Sequence, residues 1–204
     1  MSEPKAVADH AEEVVPGVWT WSVHDDRIDF VSTAHAVGDD GGVVLIDPLP
    51  LAPDALAGLG DVTAICLSAG THQRSAWRYR SQLGARVYAP ALSRQIDEEP
   101  DVRYADGDDL PGGLRAVFTP GAGTTQHTFV LEREGGVAFV PDLFTHLPER
   151  GLRMVWDEYM HDPAEARRSV RKLLDLSFSV LCLDHGTPLT DDPQGAIRAL
   201  LDAS

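Results

Sequence analysis

Apolar and polar positions follow one another along the chain in a pattern that predicts its elements in order. Residues 15–23 (VPGVWTWSV) and 28–37 (IDFVSTAHAV) are rich in β-branched and aromatic residues and read as two strands around a turn at 24–27. GDDGG at 38–42 is a second turn. VVLID, 43–47, is apolar on both faces, which predicts a central strand, and Pro48 and Pro50 stop it. PDALAGL, 53–59, predicts a short helix. Residues 61–80 hold an apolar run, VTAICL, then the polar bend SAGTHQRS at 68–75. A helical period follows, with Ala76, Trp77, Tyr79 and Leu83 available for packing.

Beyond this unit, 84–90 reads as a strand, 91–99 (ALSRQIDEE) as a short helix and 101–113 as mostly loop. Strands are predicted over 114–120, 127–134 and 136–142, with Glu134-Gly135-Gly136 as a hairpin connection. Residues 143–161 read as irregular, broken by Pro148 and Gly151, and suited to one wall of a pocket. Residues 162–176 predict a helix with Asp162 as N-cap and Pro163 at its first position. A last strand, SVLCLDHG, and a closing helix, DDPQGAIRALLDAS, end the chain. Residues 1–14 read as a loose lead-in, and 15–204 as a single domain. This order of elements predicts an α/β or α+β chain.

Composition narrows the function. The 204 residues suit one domain with a sizeable core. No apolar run approaches the roughly 20 residues that span a bilayer, and the first residues lack the apolar segment of a signal peptide. A cytoplasmic location is therefore expected. The net charge of −15 repels phosphate backbones and anionic lipid, so neither nucleic acid nor membrane is an expected partner. The densest basic run, RRSVRK at 167–172, reads as a solvated helix face. Cys66 and Cys182 each lie inside an apolar run and make no disulfide framework.

The chemistry should be decided at 68–75, because loops at the C-terminal ends of strands are where layered α/β folds build sites. That loop holds one histidine, His72, and no carboxylate. Its surroundings nonetheless resemble a known family. In the metallo-β-lactamase fold the same loop reads T-H-x-H-x-D-H and supplies most ligands of a two-metal site. Here Ser68 takes the Thr position, Ala69 and Thr71 fall on the first two His, Gln73 on the Asp and Arg74 on the last His. His72 occupies a spacer. GGVVLIDPLP, with Asp47, is similar to the family's early strand ending in Ile-Asp. RAVFTPGAGTTQHTFVLE resembles its T-P-G-H-T segment, with Ala122 where a ligand His belongs. GGVAFVPDLF keeps the bridging Asp as Asp142, and VLCLDHGTP keeps the final His as His185.

The resemblance covers nearly the whole chain. It implies a four-layer αββα sandwich of two mixed β-sheets. It also implies a protein that lacks most dinuclear ligands and is not a standard zinc hydrolase. Such a chain needs no cofactor. It could take a small-molecule ligand or a partner in the residual cleft, whose residues would be Asp47, Arg74, Ser68, Thr71 and Gln73. A homodimer fits the habits of soluble proteins. The alternative is a hydrolase with one divalent metal (zinc, manganese or iron) on Asp142, His185 and His72, with His127 or Asp47 as a fourth ligand. For Arg74 the expectation is that its guanidinium replaces the metal's charge and forks onto Asp142 or Asp47.

Two further patterns carry less. Ser68, Asp142 and His185 follow the chain order of an α/β-hydrolase triad, but Cys66-Leu67-Ser68-Ala69-Gly70 lacks the first Gly of the G-x-S-x-G elbow. GAGTT at 121–125 has neither the third Gly nor the Lys of a phosphate loop and reads as a turn between strands.

Overall fold

The computed structural model describes residues 3–94 and 96–203. The chain divides into two compact units. One runs to Tyr104 and takes in Leu110–Gly112. The other comprises Ala105–Asp109 and the residues from Gly113 on.

The first unit is built on a seven-stranded sheet whose spatial order follows the sequence. Its strands are β1 (Glu12–Val15), β2 (Val18–Asp25), β3 (Phe30–Asp39), β4 (Gly42–Ile46), β5 (Val62–Cys66), β6 (Arg86–Pro90) and β7 (Val102–Tyr104). The first four pair antiparallel, and β4 to β7 pair parallel. Parallel pairing requires crossovers, which α1 (Pro53–Leu59) and α2 (Ala76–Leu83) provide. The strand read as central, β4, has four of its five residues buried. Its neighbours in the core include Trp21, Ile65, Leu67, Tyr79 and Val87.

The second unit carries a five-stranded sheet in the order β14 (Val180–Leu183), β11 (Val137–Val140), β10 (His127–Leu131), β9 (Leu114–Phe118) and β8 (Asp109–Leu110). The pair β11 and β14 is parallel, and the pairs of β10 with its neighbours are antiparallel. A separate hairpin joins β12 (Phe144–Leu147) to β13 (Gly151–Met154). Two helices complete the unit, α3 (Pro163–Leu173) and α4 (Pro193–Asp202). Leu143, Phe144, Val170, Leu173, Leu181 and Ile197 form its core. The expected α/β class with two mixed sheets is the fold observed.

Four local expectations change. The lead-in is not loose where the structure describes it; Met1 and Ser2 lie outside the described residues. Ala8 bonds both ways to Pro50 and Ala52, the Glu3 carboxylate takes the Arg78 guanidinium, and β1 pairs with β2. The helix expected at 91–99 is absent among the described residues, Gln95 being outside them. Its backbone groups bond elsewhere: Asp97 N–H donates to the Gln73 side chain at 2.7 Å, and Ser93 C=O accepts from Arg103. The loop expected over 101–113 contains β7 and β8. The irregular stretch 143–161 contains the β12–β13 hairpin. There Pro148 and Gly151, read as breaks, border the turn, with Gly151 at φ +64° and Arg150 N–H bonded to Leu147 C=O. The closing helix ends at Asp202; Ser204 lies outside the described residues.

Candidate functional site

In the first unit the site forms where β4 and β5 end side by side. Asp47 N–H donates to Cys66 C=O, continuing the parallel ladder past β4. The chain then turns through Asp47 at φ +45°, a left-handed conformation that aspartate tolerates better than most residues. That turn aims a fully buried carboxylate, 0% exposed, across to the loop after β5. The loop itself is clamped. Tyr104 Oη donates to Leu67 C=O at 2.6 Å, and Ser75 N–H donates to Pro48 C=O. Tyr79, on the first turn of α2, bonds Leu49 and Leu51 through its hydroxyl.

Three groups close on the Asp47 carboxylate. Ser68 N–H donates to Oδ1 at 2.8 Å, and the Ser68 hydroxyl donates to Oδ2. His72 Nδ1 stands 3.1 Å from the same Oδ2 and 3.0 Å from Ser68 Oγ. Because the serine proton goes to the carboxylate, the arrangement assigns the His72 proton to Nδ1, facing both oxygens. A catalytic triad needs the serine and the carboxylate on opposite ring nitrogens. Here both face one nitrogen, and Ser68 is held as a donor to Asp47 rather than activated by His72.

The remaining loop side chains are also engaged. Gln73, 1% exposed, donates from Nε2 to Gly70 C=O, and its Oε1 accepts from Trp77 Nε1 and from Asp97 N–H. Arg74, 5% exposed, donates from Nη1 to Thr33 C=O at 2.9 Å and to Asp47 C=O at 3.0 Å. Its backbone is left-handed, φ +37°, an uncommon state for a long side chain. Gly70 packs so closely on Ser93 that a Cβ there would lie 2.8 Å from it. Thr71 is exposed. Behind the site, burial and then the Asp47 charge push the Cys66 thiol far up, and burial, then Cys66 and Asp47, do the same to the Tyr104 hydroxyl. Neither group ionises near neutral pH.

In the second unit Asp142, also left-handed at φ +39°, leaves β11. Its Oδ1 accepts from His185 Nε2 at 3.1 Å and its Oδ2 from Gln126 Nε2 at 2.8 Å. Both Asp142 and His185 retain solvent access, whereas Gln126 is buried and fixed by Gly123 N–H on its Oε1. The His185 turn is locked by a close backbone approach: Gly186 packs 2.0 Å, measured from an added Cβ, from His146 C=O. Only glycine fits there. Ala122 packs on the second core, and its C=O accepts from His161 N–H. His127 turns Nδ1 to Thr125 C=O and sets its ring against Phe118, 5.1 Å between centroids; burial pushes its pKa below the usual imidazole range.

The sequence-derived candidates thus gather into two groups. Asp47, Ser68, His72, Gln73 and Arg74 meet in the first unit, Thr71 standing apart from them in solvent. Asp142 and His185 meet in the second. Gln126 was missed. Its signal was faint, since a glutamine between a Gly-rich turn and a strand reads as solvated. The loop 68–75 taken by itself supplies few metal ligands. The loop offers one imidazole, an amide committed at both ends, and a guanidinium, which has no lone pair to give.

The structure is similar to solved metallo-beta-lactamase-fold proteins. A metallo-beta-lactamase from Pontibacter korlensis matches with a TM-score of 0.75 at 16% identity, covering 96% of this chain and 99% of that one. A metallo-beta-lactamase family protein from Thermus thermophilus matches with a TM-score of 0.68 at 21% identity, covering 94% and 80%. A flavo di-iron protein mutant from Thermotoga maritima matches with a TM-score of 0.70 at 19% identity, covering 94% of this chain and 61% of its own length. Comparison with curated proteins finds no significant match. The sequence profile described as the metallo-beta-lactamase superfamily matches residues 13–192, so the chain belongs to that superfamily.

Proposed function

We propose that this chain is a binding member of the superfamily in which hydrogen-bonded side chains stand where relatives hold a metal pair, and that it is not a metal-dependent hydrolase of the standard kind. The observation that carries this reading is the pair Gln73 and Arg74. Both occupy ligand positions of the family loop, both are buried, and both direct their polar atoms to protein partners. A resident cation beside a buried guanidinium would meet like charge at low dielectric, a costly arrangement.

A second reading has one observation in its favour. Asp142 and His185 lie together, 3.1 Å apart and partly exposed, as two ligands of a single metal would. In that reading the pair would hold one zinc, manganese or iron of a hydrolase; the di-iron name of the Thermotoga relative keeps iron among the candidates.

Metal content separates the two. Elemental analysis of untagged protein purified without chelator is expected to give zinc, manganese and iron each far below one per chain, with no thermal shift on adding them. Near-stoichiometric metal that survives dialysis overturns the proposal and establishes the second reading.

A further inference from the structure

The second unit holds a groove distinct from the Asp142–His185 pair. It lies between the β12–β13 hairpin and α4 and has a volume of about 680 Å3. Leu147, Leu152 and Met154 line it from the hairpin. On the helix side, Ala196, Ala199, Leu200 and Ala203 recur three or four residues apart and so share one face. Three of these four are alanine, and their short side chains leave the space open.

The charge of the groove is opposite to that of the molecule. The chain has 32 acidic and 17 basic residues, yet the described residues lining the groove include three arginines, Arg150, Arg153 and Arg167, and no acid. Arg167 is paired with Asp157 at 3.1 Å. Arg153 is oriented by its Nε, which donates to Arg150 C=O at 3.2 Å. Among the described residues neither Arg150 nor Arg153 has a carboxylate partner. Beside them Trp156, 49% exposed, meets Tyr159, 70% exposed, edge to face at 6.2 Å between centroids. Uncompensated guanidinium groups at the rim of an apolar trough suit a ligand with an anionic head and an apolar body.

We propose that this groove binds a small amphipathic anion, its carboxylate or phosphate head on Arg150 and Arg153 and its apolar body along α4. The volume falls within the roughly 300–1,000 Å3 of small-molecule sites. The net charge of −15 favours a small ligand over a large acidic partner, because long-range repulsion grows with the partner's charge.

The test titrates the full chain with decanoate, decyl phosphate, decanol and decyltrimethylammonium, read by calorimetry and tryptophan emission. Decanoate and decyl phosphate are expected to bind saturably at one per chain. Decanol should bind about tenfold more weakly or less, and the cation not at all. Stronger binding of one anion identifies the preferred head. Arg150→Gln with Arg153→Gln should weaken anion binding at least about tenfold with an unchanged circular dichroism spectrum. Ala199→Trp, which fills the groove and leaves the arginines intact, should abolish it. Equal binding of anion and alcohol, or binding that survives all these variants, overturns the proposal. A chain that is dimeric and becomes monomeric with Ala199→Trp also overturns it, assigning the groove to a second copy.

Discussion

Asp47 shows how much one residue's surroundings decide. Its buried carboxylate is acceptable because Ser68 supplies two donors and His72 a third contact. Ser68→Ala removes one of the donors to Oδ2, and is expected to cost about 1–3 kcal/mol in urea denaturation. Asp47→Ala removes every acceptor and places alanine at a left-handed position, so its cost should exceed that of Ser68→Ala, whereas Asp47→Asn tolerates the backbone and should cost less than Asp47→Ala. His127 supplies the pH dependence. Burial lowers its folded pKa below the unfolded value near 6.5. The unfolded chain therefore binds more protons as pH drops through 6.5, and stability falls with it; above 6.5 both states are neutral and the contribution is flat. Thermal melts at pH 7.5 and 5.5 should show a smaller acid loss for His127→Gln than for the parent chain.

The elements most clearly written in the residues are the capped helices. In α3, Asp162 accepts from Glu165 N–H at 2.9 Å and Pro163 opens the helix, as the local pattern dictates. Asp162→Ala should therefore destabilise the protein by about 1 kcal/mol, measured by chemical denaturation. Gly121 illustrates a constraint that no local pattern reveals. At φ +130° it passes α3 so closely that a Cβ would lie 2.2 Å from Ala166 N. Gly121→Ala should cost well over 2 kcal/mol or prevent folding, judged by soluble yield and melting temperature. The segment 91–99 failed as a helix for the complementary reason. Its local preference was weak, and bonds offered by Gln73 and Arg103 replaced the helical ones.

At the scale of the whole molecule, the superfamily fold follows from long-range order: hairpin runs, then parallel strands with crossovers, in both halves of the chain. That order was legible because strand and turn signals are local and their succession is conspicuous. No helix among the described residues is long and apolar enough to cross a membrane. The candidate site was legible only in part. The family resemblance marked Asp47, Asp142 and His185, and the mismatched loop at 68–75, because each motif that carries it is a contiguous stretch of sequence. It did not show that Ser68 bonds Asp47 rather than acting with a distant histidine, nor that Gln126 holds Asp142.

Local chemistry alone thus marked most of the strands and the two capped helices, and left the loop at 68–75 with one histidine and no carboxylate. Burial and pairing were decided only by folding. They turn His72 Nδ1 toward Asp47, engage both ends of Gln73, and open an arginine-rimmed groove on an acidic protein. These depend on residues far apart in the chain meeting within hydrogen-bonding distance, and a hydrogen bond or a desolvated charge exists only once the backbone has brought its partners together.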